Sequence, residues 1–198
     1  MLFDENPSES YKERNLYYKF FAGYFFNELV PGWEQRLNEF CQLIGAKSGL
    51  PGGITLSPAT THVSFDNHLI QRVRGVDRGE FADILILDQQ YGVLVGIEVK
   101  YLSDWNYRKD IETNSERLHK AGKELGARTV VQCLLVSRSK WEKSRQKPFL
   151  ESMNPAIAVI LWEELQERCT NEKLVNYLRW QMKRHPIRNR PTLANRQG

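Results

Sequence analysis

Residues Phe81 to Tyr101 read FADILILDQQYGVLVGIEVKY, and the rest of the chain is organised around them. From Val93 onward the odd positions Val93, Val95, Ile97 and Val99 are all β-branched, and the even ones are Leu94, Gly96, Glu98 and Lys100. That two-residue period is the signature of a strand with one core face and one charged face. The run Phe81 to Leu87 is strand-like as well, and Asp88-Gln89-Gln90-Tyr91-Gly92 is a polar, glycine-ended connection of hairpin length. The two strands are therefore expected to pair antiparallel, Asp88 opposite Val93 and Leu87 opposite Leu94. Counting back along the ladder brings Asp83 opposite Glu98, with Lys100 two residues on and on the same face. Like charges opposed across a ladder cost a few tenths to about 1 kcal/mol unless a cation lies between them. Two carboxylates and an amine on one small patch are either a solvated sheet face neutralised by Lys100 or a site.

Asp83, followed after a hairpin by Glu98-Val99-Lys100, resembles the signature of the PD-(D/E)XK nuclease superfamily, the restriction-endonuclease-like fold. Ala82 stands where the name-giving Pro of that signature would be. The resemblance implies an α/β fold with an αβββαβ core, its mixed central sheet flanked by helices, covering the chain from the first helix to Trp162. It further implies Mg²⁺, with Mn²⁺ able to substitute, held by Asp83, Glu98 and the carbonyl of Val99. Lys100 would position or activate the attacking water, and the products would carry 5′-phosphate and 3′-hydroxyl ends. Relatives draw a further acidic residue from the first core helix; Glu13 is the candidate here, with Glu28, Glu34 and Glu39 as rivals. Many relatives also place a Gln in the first turns of the helix after the signature, and Asn114 is the nearest match by position.

Outward from this stretch, the 198 residues are 41% hydrophobic and 26% charged, which suits one domain over 1–184. Its core would span about 10–162 and its C-terminal helices 163–184, with a basic tail over 185–198. No apolar run is long enough to span a membrane, and MLFDENPSES lacks the layout of a signal peptide, so the expected location is the cytoplasm. Cys41, Cys133 and Cys169 are widely spaced in apolar surroundings and read as buried thiols rather than disulfides or a zinc site. His62, His68, His119 and His185 show no ligand spacing and read as surface or capping residues.

The formal charge of +4 is unevenly spread. No acidic residue follows Glu172, and the segment Arg138 to Lys147 (RSKWEKSRQK) is basic, a distribution that suits a polyanionic partner or a solvated tail. Arg72, Arg74 and Arg78 precede the hairpin, where they could meet phosphates or keep a strand edge soluble.

Helices are expected over Ser10 to Val30, broken by Pro31-Gly32, and over Trp33 to Ile44 through Leu37, Phe40, Cys41 and Ile44, ended by Gly45. A loop follows to Pro58, then a strand within Thr60 to Phe65 and another run within His68 to Arg74. Past the hairpin, Ile111, Ser115, Leu118, Gly122 and Leu125 fall at helical spacing before Gly126. The opposite face of that helix would offer Arg108, Lys109, Asn114, Arg117 and Lys120 to nucleic acid, or be a charged face paired with Glu112 and Glu116. Thr129 to Ser137 and Ala156 to Trp162 read as buried strands, and Glu163 to Cys169 and Asn171 to Arg184 as helices.

The expected function is a Mg²⁺-dependent deoxyribonuclease, with RNA as a further substrate class because nothing here reads a 2′-hydroxyl. The alternative is a catalytically inactive nucleic-acid-binding or assembly module of the same fold. No GxxxxGK[ST] or GxGxxG loop supports a nucleotide-binding domain, and no helix-turn-helix or zinc module specifies a target. Target choice is left to loops, a partner or a homodimer.

Overall fold

Two runs of Ile, Leu and Val around a four-residue turn form the hairpin in the predicted register. The computed structural model describes residues 21, 30–50, 53–65, 82–100, 106–152, 157–168 and 176, and of 107–109 the backbone alone. Its strands are β1 (Thr61–Phe65), β2 (Ile84–Asp88), β3 (Val93–Lys100), β4 (Thr129–Val136) and β5 (Ala158–Leu161), side by side in that order. β2 pairs antiparallel with β1 and with β3, with Asp88 opposite Val93 and Ile84 opposite Ile97. β4 runs parallel to β3 and to β5, bringing Val136 beside Lys100. The protein is thus of the α/β class, with a five-stranded mixed sheet flanked by helices.

The apolar positions of these strands decide what covers them. Ile84, Ile86, Val95, Ile97, Cys133, Leu135 and Ile160 project to one face, under helix α1 (Trp33–Lys47). α1 contributes Leu37, Phe40, Cys41 and Ile44, the residues whose spacing predicted it. Leu85, Leu87, Leu94, Leu134 and Val136 project to the other face, under a π-helical segment, Tyr107–Thr113, and the helix α2 (Asn114–Glu124) that continues it. Two short helices on the same face, α3 (Arg138–Glu142) and α4 (Lys147–Glu151), connect β4 to β5. α5 (Trp162–Arg168) follows β5 and inserts Trp162 and Leu165 beneath α1.

β3 is consequently buried along both faces from Val93 to Val99, as the expected flanking of the sheet by helices requires, and its charged residues come only at the end. Near-continuous apolar runs are what a doubly covered strand requires, and ILIL and VLVGI are such runs. Gly96 makes this covering close: a Cβ there would lie 2.8 Å from Leu118 of α2. The predicted C-terminus of α2 also holds. Ala127 donates to the Gly122 carbonyl at 2.8 Å and Gly126 to that of Lys123 at 3.2 Å, the paired bonds that close a helix on a glycine.

Gly45 does not end α1 as expected; the helix continues to Lys47. Its role is contact, since a Cβ at Gly45 would lie 2.6 Å from the backbone of Gly53 and Ile54. Backbone cannot rotate away as a side chain can. In Gly45→Ala the helix-propensity gain of about 1 kcal/mol is outweighed by overpacking, for a net loss of about 2 kcal/mol. A fall in the urea midpoint at unchanged m-value is the expected reading, and an unchanged or raised midpoint would show that the 53–54 segment yields.

The predicted helix at Ser10 to Val30, the run His68 to Arg74 with Arg72, Arg74 and Arg78, and the helix Asn171 to Arg184 lie outside the described residues apart from isolated positions. Cys41 and Cys133 are fully buried free thiols, as expected, and burial pushes both far above the ordinary thiol range. Cys169, His68 and His185 lie outside the described residues, while His62 and His119 are exposed. Among the described residues, no helix is long and apolar enough to cross a membrane.

Candidate active site

The covering of β3 is complete to Val99 and thins only at Lys100, and at that end the charges gather. Asp83 stands one position before β2, its N–H donating to the Ile97 carbonyl at 2.9 Å. Its Oδ2 accepts the Val99 N–H at 2.7 Å, so this carboxylate braces the adjacent strand at the residue between Glu98 and Lys100. The ladder itself ends at Ile84 opposite Ile97, so the expected Asp83–Glu98 pair falls one step past its last partners; Asp83 instead bonds to Ile97 and Val99, the two residues that flank Glu98. Glu98 is buried, with 8% of its surface exposed. Its Oε1 lies 2.7 Å from Lys100 Nζ, and its Oε2 accepts from Asn114 Nδ2 at 3.2 Å.

The second side of the site comes from the π-helical segment and α2. Packing of Leu118 on Gly96 sets the height of α2 over β3, and residues one and two turns earlier then lie over Glu98. Asn114 is buried there and also donates to the Asp110 carbonyl at 3.2 Å. Asp110 is buried too; its Oδ1 lies 3.7 Å from Lys100 Nζ, and its Oδ2 accepts the Asn106 N–H at 2.6 Å. π-helical turns recur at functional sites because the extra residue per turn re-aims side chains. From the sheet beneath, Gln132 of β4 directs Nε2 to the Asp110 carbonyl at 3.4 Å. Its buried Oε1 has no hydrogen-bond partner among the described residues.

Three carboxylates surround one amine. Burial works to lower the Lys100 pKa, but Glu98, through charge and hydrogen bond, and then Asp110 and Asp83 outweigh it, and the pKa is raised. Lys100 is therefore an ammonium near neutral pH.

The predicted site residues fare differently. Asp83, Glu98, Val99 and Lys100 are brought together. Asn114 is not on the solvent face with the basic residues of α2, as one expectation had it; it is buried on the inner face, against Glu98. Arg117 is half-buried and Lys120 exposed. The side chain of Arg108, and Glu13 and Glu28, lie outside the described residues. Glu34 and Glu39 are exposed on α1, which covers the opposite face of the sheet, and neither joins the cluster. Asp110 and Gln132 were missed by the sequence reading. Asp110 was findable, since it precedes Asn114 and Leu118 by one and two helical steps of four.

Among the described residues no group of three or more His, Cys, Asp or Glu side chains is arranged to hold a metal. A hard divalent cation needs less, because Mg²⁺ is commonly held by one or two carboxylates with water completing its shell. Asp83 and Glu98 are oxygen donors at the same end of the hairpin, Asp83 bonded to the residues on either side of Glu98. The Lys100 ammonium on Glu98 shows that the cluster already accommodates a cation. The residues present fit such an ion. Compared with protein-family models, curated proteins and solved structures, the chain matches none.

Proposed function

We propose that this protein is a metal-dependent nuclease of the PD-(D/E)XK type with a restriction-endonuclease-like fold, hydrolysing DNA to 5′-phosphate and 3′-hydroxyl ends. The observation that carries the reading is the set Asp83, Glu98 and Lys100, joined at the open end of one hairpin, with Lys100 at 2.7 Å from Glu98. The order antiparallel hairpin, helix, parallel strand supports the fold assignment, and RNA is the neighbouring substrate class.

Asp83, Glu98 and the Val99 carbonyl would hold Mg²⁺ or Mn²⁺, which when bound supplies charge neutralisation on phosphate oxygens and acidifies water. The chain's own groups do the rest. Lys100, charged and fixed between carboxylates, donates to an attacking water or to phosphoryl oxygen where negative charge grows. Asn114 ties Glu98 to the helix, and Asp110 restrains Lys100 from the far side. Val99, braced by Asp83, keeps the strand end from fraying where it must bear these groups. Fixed geometry of this kind lowers the barrier because little reorganisation remains at the moment of reaction.

The test is cleavage of single-stranded, duplex and branched DNA, beside RNA, with Mg²⁺ or Mn²⁺ and with EDTA. The parent should cut only with metal, leaving ends that a ligase accepts, and folded Asp83→Ala should lose at least about a hundredfold. A parent that binds DNA but cuts nothing would hand the protein to the inactive binding-module reading, and an Asp83→Ala protein that cuts equally well would overturn the assignment of the site to Asp83.

A further inference from the structure

The basic segment between β4 and β5 has no part in the cluster, yet the topology sets it beside that cluster. Parallel pairing places Val136 next to Lys100, about 4.8 Å away across the sheet. Two further residues reach at most about 7 Å, so Arg138, which opens α3, starts within about 12 Å of Lys100. α3 and α4 also lie on the same sheet face as the cluster. Trp141 of α3 and Leu150 of α4 pack with Leu134 and Val136, and with Ile111, the residue after Asp110.

From Arg138 to Glu151 the chain carries five cations against Glu142 and Glu151. Arg138, Lys143 and Arg145 are exposed, and Lys147 lies 6.0 Å from the Trp141 ring centroid and 3.8 Å from Glu151. Among these charges stands Phe149, 52% exposed, while its neighbour Leu150 is buried. An apolar ring held outward amid cations suits one ligand class in particular. Single-stranded nucleic acid offers phosphates to the cations and a bare base face to the ring, whereas in a duplex the base faces are stacked away.

We propose that α3, α4 and the turn between them form a single-strand-binding surface. Lys143 and Arg145 contact phosphates, Phe149 stacks on a base, and the strand is led toward Lys100. This rests on the nuclease reading for its purpose and not for its test. Binding of a fluorescein-labelled oligothymidylate of about 20 nucleotides is measured by anisotropy in EDTA, where a metal-dependent reaction cannot proceed, over a range of salt.

Lys143→Ala/Arg145→Ala should weaken binding about tenfold at low salt and reduce the salt slope by about 1.4, the contribution of two phosphate contacts on a single strand. Phe149→Ala should weaken it about tenfold with the slope unchanged, and Phe149→Trp should restore it. Both sites are on the surface, and unchanged thermal midpoints confirm folding. Losses under twofold in both variants, or duplex bound more tightly than the strand and indifferent to Phe149→Ala, would overturn the surface. Parallel cleavage assays in Mg²⁺ separate the two ideas. Cleavage with unaltered binding in the variants removes the surface alone, and altered binding with no cleavage by the parent removes the nuclease alone.

Discussion

Lys100→Met is expected to abolish cleavage and, in EDTA, to destabilise the fold by about 3 kcal/mol, with Mg²⁺ returning most of that loss. The first effect follows from position: Lys100 is the cation 2.7 Å from Glu98 at the open end of the strands, and removing such a group costs about 10²- to 10⁴-fold. The second follows from burial. Glu98 is 8% exposed, and the charges that raise the Lys100 pKa are Glu98, Asp110 and Asp83. Taking one partner from a buried pair leaves an uncompensated charge, costing about 3 kcal/mol or more, unless the carboxylate takes a proton and limits the cost. Methionine keeps the chain's apolar stem, so lost packing contributes little. A divalent cation can replace the missing positive charge only if Asp83 and Glu98 can share it. Scanning calorimetry with EDTA, Mg²⁺ and Ca²⁺ should show a larger metal-induced rise in the variant than in the parent. If metal leaves the variant's midpoint where EDTA had it, the carboxylates are an ion-pair network around Lys100 and not a metal site.

The hairpin register was legible because period-two alternation and a short polar turn leave one pairing that keeps the apolar residues together. That count brought Asp83 to the neighbourhood of Glu98, one step past the last observed pair, and put Lys100 on the face of Glu98. What covers a strand is not written in its period. The order of strands and helices supplied the expectation of a sheet flanked on both sides, and the approach of Leu118 to Gly96 shows how closely α2 covers Leu85 and Leu94.

The helix over the site was found, but one of its faces was read wrongly. At 100° per residue, Asn114 lies about 40° from Leu118, on the buried side, while Arg117 and Lys120 lie about 100° and 160° away. A polar residue was thus grouped with its charged neighbours by chemistry when the wheel grouped it with the core. Glu34 and Glu39 illustrate a different limit, since an acidic residue on an amphipathic helix reveals its distance from the apolar stripe but not which sheet face that helix covers. Gln132 sits in an apolar strand, TVVQCLLV, and gave no sign beyond being the one amide there.

Asp88 fixes the far end of the same hairpin, and Asp88→Asn should cost about 2 kcal/mol at neutral pH with a defined acid dependence. The carboxylate is fully buried at the end of β2 and accepts from four donors. They are the N–H of Ser57, the N–H of Tyr91 at 2.9 Å, Thr61 Oγ1 at 2.8 Å and Thr60 Oγ1 at 3.3 Å. Two of these hold the segment before β1 and one closes the hairpin turn, so a single side chain pins both neighbours of β2 in register. An amide keeps one oxygen and turns a donor toward donors, and each buried group left unsatisfied costs about 1–3 kcal/mol.

Burial alone would raise the Asp88 pKa, but the bonds from Tyr91, Ser57, Thr61 and Thr60 outweigh it, and the pKa is lowered from 3.8. On acidification the unfolded chain takes up this proton first. The stability it contributes is therefore complete above the unfolded value and lost as pH falls through the folded one. Urea unfolding of parent and variant at stepped pH should give a constant gap above about pH 5 that narrows below about pH 4. Other carboxylates titrate alike in both proteins and cancel from the difference. A gap that persists undiminished to pH 3 would mean that geometry and not charge is what the four donors require. Because the register of β2 on β3 is shared by both ends of the hairpin, the folded variant should still set Asp83 against Glu98, and its cleavage should match the parent's below its unfolding temperature.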